Sequence, residues 1–497
     1  MTPNVRVAVV VLFVLLALGR SKPAAQAPLP TLVDPNLIVR PVISGLEQPT
    51  SMAFIGPNEF LVLEKATGRV KHVVNGAVAQ IVLDLSVNSA SERGLLGIAV
   101  HPQFSSNRFI YLFWSCTAAP GPNTFQVSET ACSRTPATGQ DSSDVLAVPL
   151  LGNRIDRFVW TGAALQFNRN IAMLRSFQHD RTNPVPRGNH DGGVLRFGGD
   201  GKLYAIFGDA GRRGQLQNLI DGVDPAAPDD QFGGPGPDTA HFTGVILRLN
   251  DDGGAPEDNP FFALGAGIGG EVGANLQKTF AYGVRNSFGM AFDPVAGHLW
   301  DQQNGDDTFD ELNRVTPGAN LGWAQIMGPL ARVAEFKALE LSFGSRDLQQ
   351  LRWSPAMLPD TAEQAVSRMF MLPGAIYEDP AFSWKWAIAP AAIGFLRGDA
   401  LGAQYANDLF IGASRTTLLD GYLFRIDLTP NRLDIAFADS RLTDRVADNA
   451  AKFDITESES MRFGSGFGVG TDIQTGPNGL LYVVSLSNGA VYEIARR

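Results

Sequence analysis

The sequence predicts an all-β chain, a six-bladed β-propeller with long loop insertions. Three observations lead there. The 497 residues include 53 Gly and 31 Pro, against roughly 12% of a chain for the two at average usage. That excess disfavours a mostly helical protein, because Gly and Pro cost most inside helices. Hydrophobic residues make up 44%, with 31 Phe, while charged residues are only 18%, which supplies a core and disfavours disorder. Finally, one pattern recurs six times: an apolar strand, a short turn carrying Gly, Asn or Asp, and a second apolar strand.

The chain opens on a segment outside the fold. Arg6 precedes twelve unbroken apolar residues, Val7 to Leu18, and Ala25-Gln26-Ala27 resembles a cleavage site. This predicts a signal peptide over residues 1–27, export to the periplasm or medium, and one propeller domain over 28–497. An uncleaved anchor is the alternative, although the run is short for a bilayer. No later stretch is long enough to span one, so the mature chain carries no predicted membrane span. Leu37 to Val42 fits an outer strand that closes the ring on the last blade.

The first hairpin runs from Met52 to Leu63, with Gly56-Pro57-Asn58 as its turn. The second pairs Gly97–Val100 with Phe109–Phe113. Val194–Phe197 and Leu203–Ile206 flank Gly198-Gly199-Asp200-Gly201 in the third. Gly289–Phe292 with Leu299-Trp300, Gly394–Leu396 with Leu409–Ile411, and Asp472–Thr475 with Leu480–Val484 complete the set. Several are followed by a third strand that starts at Gly, as in Gly244-Val245-Ile246-Leu247-Arg248-Leu249. Insertions near 115–185, 325–385 and 430–465 make the spacing irregular. A sandwich or barrel with similar hairpins is the alternative architecture. Cys116 and Cys132 lie in the first insertion, where a local disulfide is preferred over two unpaired thiols. Neither belongs to a C-x-x-C-H haem motif.

The net charge of −10 and the absence of a basic run exclude a nucleic-acid partner. Chemistry in a propeller sits where blade loops meet at one end of the channel, and four clusters lie there. His190, in Asn189-His190-Asp191-Gly192-Gly193, is a candidate general base near neutral pH; a surface loop His is the alternative. Asp209 ends the second strand of the same hairpin, so it returns to the His190 end and can orient the ring; otherwise it is a turn Asp. Arg285, in Tyr282-Gly283-Val284-Arg285-Asn286-Ser287, can stabilise negative charge on a ligand oxygen, or else pair with a carboxylate between blades. Gln303 to Asn313 holds four acidic residues and two Asn in eleven positions, a composition suited to calcium or to a solvated loop with Asx turns.

At these clusters the sequence resembles the glucose/sorbosone dehydrogenase family, over about residues 37–496. The matching stretches are Glu92-Arg93-Gly94-Leu95-Leu96-Gly97 through Pro102, the His190 loop, Gly208-Asp209, Arg285-Asn286, Asn304 to Asn313, and Asn320-Leu321-Gly322-Trp323. The resemblance implies a six-bladed propeller and oxidation of aldose sugars or related alcohols with pyrroloquinoline quinone (PQQ) and calcium as cofactors. It implies His190 as base, Asp209 as its orienting partner and Arg285 beside the quinone oxygen. Glu92, Asn189, Asn286 and Arg415 match cofactor contacts, and the carbonyls of Gly305 and Asp306 match calcium ligands. Electrons would leave to a separate acceptor. Two Arg of the soluble glucose dehydrogenases are missing: Val469 and Thr471 stand there, with Arg462 a candidate substitute. A non-catalytic binding propeller and a calcium-dependent lactonase remain as alternatives. The sugar and the oligomeric state are not encoded legibly.

Overall fold

Glycine turns set the hairpins. Gly201 and Gly479 close the third and sixth of them with φ of 73° and 77°, a left-handed conformation that costs other residues a Cβ clash. In the computed structural model, residues 28–89, 91–116, 118–120, 127–132, 153–174, 190–209, 244–343, 355–413 and 421–497 are described. They form a β-propeller arrangement, with six sheets of four to six strands.

The inner strands are Pro49–Gly56, Leu95–Val100, Leu195–Phe197, Gly289–Phe292, Pro390–Phe395 and Gly470–Thr475. Each packs against the next, and the last packs back against the first, which makes a ring. Second strands such as Leu203–Phe207 and Leu409–Ala413 are buried throughout. They lie between neighbouring sheets, which is why they read as unbroken apolar runs rather than alternating ones. Phe113 and Phe207, both fully buried, place ring centroids 5.0 Å apart within the core shared by the second and third sheets. Burying one such ring contributes ~1.5–3 kcal/mol.

Leu37–Ser44 pairs antiparallel with Ala490–Arg496, so the N-terminal strand completes the last sheet as the sequence predicts. The insertions hold part of the helical content. Val333–Ser342 and Ala362–Arg368 lie in the second main insertion. Phe262–Ile268 and Gly270–Lys278 form a further pair that the strand pattern does not signal. Short parallel additions, Ala319–Asn320 and Ile376–Tyr377, widen the third sheet. Cys116 is disulfide-bonded, which removes the alternative of two unpaired thiols. Among the described residues, no helix is long and apolar enough to cross a membrane; the expected signal peptide lies outside them.

The inner strands surround a channel. At their C-terminal ends it opens into a cavity of about 420 Å³ lined from all six. At their N-terminal ends it narrows to a cavity of about 60 Å³. Between the third and sixth sheets, which face each other across the ring, Arg196 Nη2 donates to Asp472 Oδ1 at 2.6 Å. The other Asp472 oxygen accepts from Ser51 Oγ at 2.6 Å and the Met52 amide at 3.0 Å.

Candidate active site

His190 lies just before the third inner strand, at the narrow end of the channel. It has a φ of 58°, a conformation uncommon for a residue with a Cβ and enriched at functional sites. Gly192 and Gly193 follow, and a Cβ on Gly192 would sit 2.5 Å from the Ile206 carbonyl. The chain therefore returns tightly over its own hairpin. That return brings His190 Nδ1 to 2.6 Å from Asp209 Oδ1, with both side chains buried. Asp209 is fixed from its other side, where Oδ2 accepts from Trp323 Nε1 at 2.6 Å.

Burial pulls the imidazole pKa down, and the Arg285 charge acts with it. Asp209, through its charge and its hydrogen bond, and Glu92 oppose them; the net direction is upward from the ordinary His value. The bond to Asp209 engages Nδ1 and so puts the basic lone pair of the neutral ring on Nε2.

Glu92 ties three loops together. Its Oε2 accepts from the His190 amide at 2.6 Å and from Asn286 Nδ2 at 3.0 Å. Asn286 Oδ1 is buried with no hydrogen-bond partner among the described residues. Asp191, next to His190, is buried, and one oxygen accepts from Asn153 Nδ2 at 2.9 Å. Burial pushes its pKa up to about 6, against the lowering effect of Arg93 and Asn153.

Arg285 is buried. Its Nη1 donates to the carbonyls of Asn304 at 2.6 Å and Gly305 at 2.7 Å, and Nη2 lies 3.4 Å from Asp306 Oδ1. Its guanidinium carbon lies 5.3 Å from the centre of the Trp323 ring. Arg285 thus holds the acidic loop of the fourth sheet, and its charge also acts on His190.

The acidic stretch corrects the reading of a solvated loop. Thr308–Val315 is a strand, and Asp310 and Glu311 within it are buried. Asp310 anchors the loop ahead of it: Oδ1 accepts from the Gly305 amide at 2.8 Å, and Oδ2 from the amides of Ile388 and Ala389 at 2.6 and 2.9 Å. Only Asp306 and Asp307 stay on the loop. Arg462 is also corrected. It sits exposed at the start of the fourth strand of its sheet, Arg462–Ser465, and so does not replace the missing channel-side cations. Thr471 lines the narrow cavity instead. Asn189 and Arg415 lie outside the described residues.

Sequence reasoning missed four residues here. Trp323 stands in the Asn320-Leu321-Gly322-Trp323 stretch, to which the resemblance assigns no role. Gln303 Oε1 accepts from the Arg285 amide at 3.0 Å. Lys65, donating to the carbonyls of Ser89 and Ser91 at 3.0 and 2.8 Å, interacts with the charges of Asp191 and Glu92. Arg196 is the cation in the channel wall. Lys65 and Trp323 arrive from loops distant in sequence, while Arg196 and Gln303 lie near quoted clusters but carry no spacing that marks their contacts.

This geometry can be set against known proteins. A family model described as glucose / sorbosone dehydrogenase matches residues 46–330, more than half of the chain. The chain belongs to the glucose/sorbosone dehydrogenase family. Aldose sugar dehydrogenase YliI of Escherichia coli is 25% identical over 461 residues, 91% of each chain. Quinoprotein glucose dehydrogenase B of Acinetobacter calcoaceticus is 26% identical over 297 residues, 59% of this chain. The match spans only about half, 53%, of that relative's length. The PQQ-bound aldose sugar dehydrogenase of Streptomyces coelicolor superposes with a TM-score of 0.52 at 20% identity, over 93% of this chain and 98% of that one. This last likeness bears on the fold alone. His190, Asp209, Arg285 and Gly305 of this family member all fall inside the matched region.

Proposed function

We propose that the protein is an exported quinoprotein dehydrogenase that oxidises aldose sugars or related alcohols, on a propeller in which each of the six sheets is one blade. The observation that carries this reading is the buried His190–Asp209 pair, locked by Trp323 and facing Arg285, in a member of this family. The role of His190 is to take the proton from the substrate hydroxyl at Nε2. Asp209 holds the ring and stabilises the charge it gains. Arg285 offers positive charge to an oxygen that becomes negative. Glu92 fixes the His190 backbone, and Asn286 presents Oδ1 as an acceptor.

When bound, PQQ supplies a hydride acceptor and calcium supplies Lewis acidity. The residues present fit such a group. The unpartnered Asn286 Oδ1 is suited to a ligand N–H, and the Gly305 and Asp306 carbonyls are hard oxygen donors. Gly305 already accepts from Arg285, which leaves its second lone pair for a metal. Asn189 and Arg415 are further proposed contacts.

The test is reconstitution. Purified protein given calcium and PQQ should reduce an artificial dye when a sugar is added. No dye reduction across a broad panel of sugars and alcohols, with PQQ shown spectroscopically not to bind, overturns the proposal. One observation favours a second reading, a non-catalytic binding propeller: Val469 and Thr471 stand where the soluble glucose dehydrogenases carry cationic cofactor contacts. Quinone binding without turnover would support that reading.

A further inference from the structure

Glu340 lies on the helix Val333–Ser342, beyond the stretch that matches the family model. It is fully buried, which is rare for a carboxylate unless it is paired or ligating. Its Oε1 accepts from Thr308 Oγ1 at 2.6 Å and the Asp307 amide at 3.2 Å. Its Oε2 has no hydrogen-bond partner among the described residues. One oxygen each of Glu340, Asp306 and Asp307 lies within 4.8 Å of the others. Three oxygens that close together can reach one ion. Calcium, with its flexible coordination, suits such a carboxylate set better than magnesium, which gives up its waters reluctantly.

A cation supplied by the chain already sits at this place. Lys452 Nζ donates to Asp307 Oδ1 and lies 3.5 Å from the Asp306 carbonyl. With Arg285 at Asp306, two cations meet these three carboxylates, and neither hydrogen-bonds to Glu340 Oε2. A divalent ion satisfies more of this charge and reaches the oxygen that Lys452 leaves alone.

We propose that Asp306, Asp307 and Glu340 form a side-chain binding site for a calcium-class divalent cation, which competes with the Lys452 ammonium. This side-chain set adjoins the main-chain carbonyls proposed for the quinone-associated ion and shares Asp306 with them; Asp307 and Glu340 distinguish it, and it does not rest on the quinone reading.

The test uses the full mature chain without PQQ. Terbium(III) serves as the luminescent probe, sensitised through Trp386, which lies opposite Thr308 in the strand register, and calcium or magnesium serves as competitor. The expected result is terbium luminescence displaced by calcium at lower concentration than by magnesium. Glu340→Gln and Asp307→Asn should each weaken binding at least ~10-fold, the loss of one charged ligand being worth ~1.4 kcal/mol or more. Lys452→Met should tighten it. Asp360→Asn, which removes only a surface partner of Lys337, should change nothing. Melting curves establish that each variant is folded, and Asp307→Asn serves as the reporter if Glu340→Gln is not. No luminescence, equal binding by wild type and the folded ligand variants, or unchanged binding in Lys452→Met overturns the site. Because dye reduction is not the readout, failure here is distinguishable from failure of the dehydrogenase proposal.

Discussion

Asp209 spends both of its oxygens on ring N–H groups, His190 at one and Trp323 at the other. Asp209→Asn removes the charge that raises the His190 pKa. The acid limb of the pH–rate profile should then move to lower pH, because the base is neutralised more easily, while turnover falls by ~10²–10⁴-fold. His190→Ala should abolish turnover with unchanged melting; retained turnover takes the ring out of the mechanism. Trp323→Phe leaves a buried carboxylate oxygen short of a donor, costing ~1–3 kcal/mol in urea unfolding. It should also slow turnover without moving KM, since Trp323 acts through Asp209. The pairing of His190 with Asp209 was legible in the sequence because two strands of one hairpin return to the same end. Trp323 was not, because it follows Ala319–Asn320, a short parallel strand that joins the third sheet only after three strands of the fourth sheet have intervened in the chain.

Two adjacent strands carry a different signal. Asp301 on Leu299–Gln303 pairs in register with Asn313, and Gln303 pairs with Glu311 on Thr308–Val315, so alternation puts these polar side chains on one face. Burial pushes Asp301 up to about 7 and Glu311 up to about 8, with neighbouring amides offsetting part of it. A carboxyl whose folded pKa lies above its unfolded value holds its proton longer in the folded state. Its contribution is fully present below the unfolded pKa and is lost as pH rises to the folded one. For Glu311 that window runs from 4.5 to about 8. Stability should therefore fall across it, and Glu311→Gln should flatten the slope by up to ~1.4 kcal/mol per pH unit. Denaturant melts at pH 5, 6, 7 and 8 check this, and parallel profiles for the two proteins contradict it. The sequence marked this stretch as acidic but not as a buried strand. Four acids in eleven positions mimic a solvated loop, and only the pairing partners, Leu299–Gln303 and Phe382–Trp386, draw the strand inside.

Across the whole molecule the repeat was the most legible level. Six hairpins, their glycine turns and the closing strand near residue 40 were all readable, because local turn chemistry and apolar runs specify them. The helices of the insertions were not, because their tertiary packing rather than a clean period holds them; Glu340, for example, is a buried acid on an otherwise apolar helix face. Leu37–Ser44 is the strand by which the N-terminal segment pairs with the last sheet. Deleting residues 28–44 bares the edge of Ala490–Arg496, an unpaired template for association. It should lower the melting temperature and the soluble yield; an unchanged melt would mean that the ring holds without its seam.

The Arg196–Asp472 pair carries one more consequence. A ring of sheets has two mouths, but this ion pair spans the bore between them, with the first sheet hydrogen-bonded to the same carboxylate. Among the described residues the channel is a cul-de-sac rather than a tunnel. A sugar and an electron acceptor that both bind beside His190, as the proposed function has it, would share one doorway and bind in turn. Traffic at that doorway, rather than chemistry at the ring, then decides whether two reactants take turns or obstruct one another.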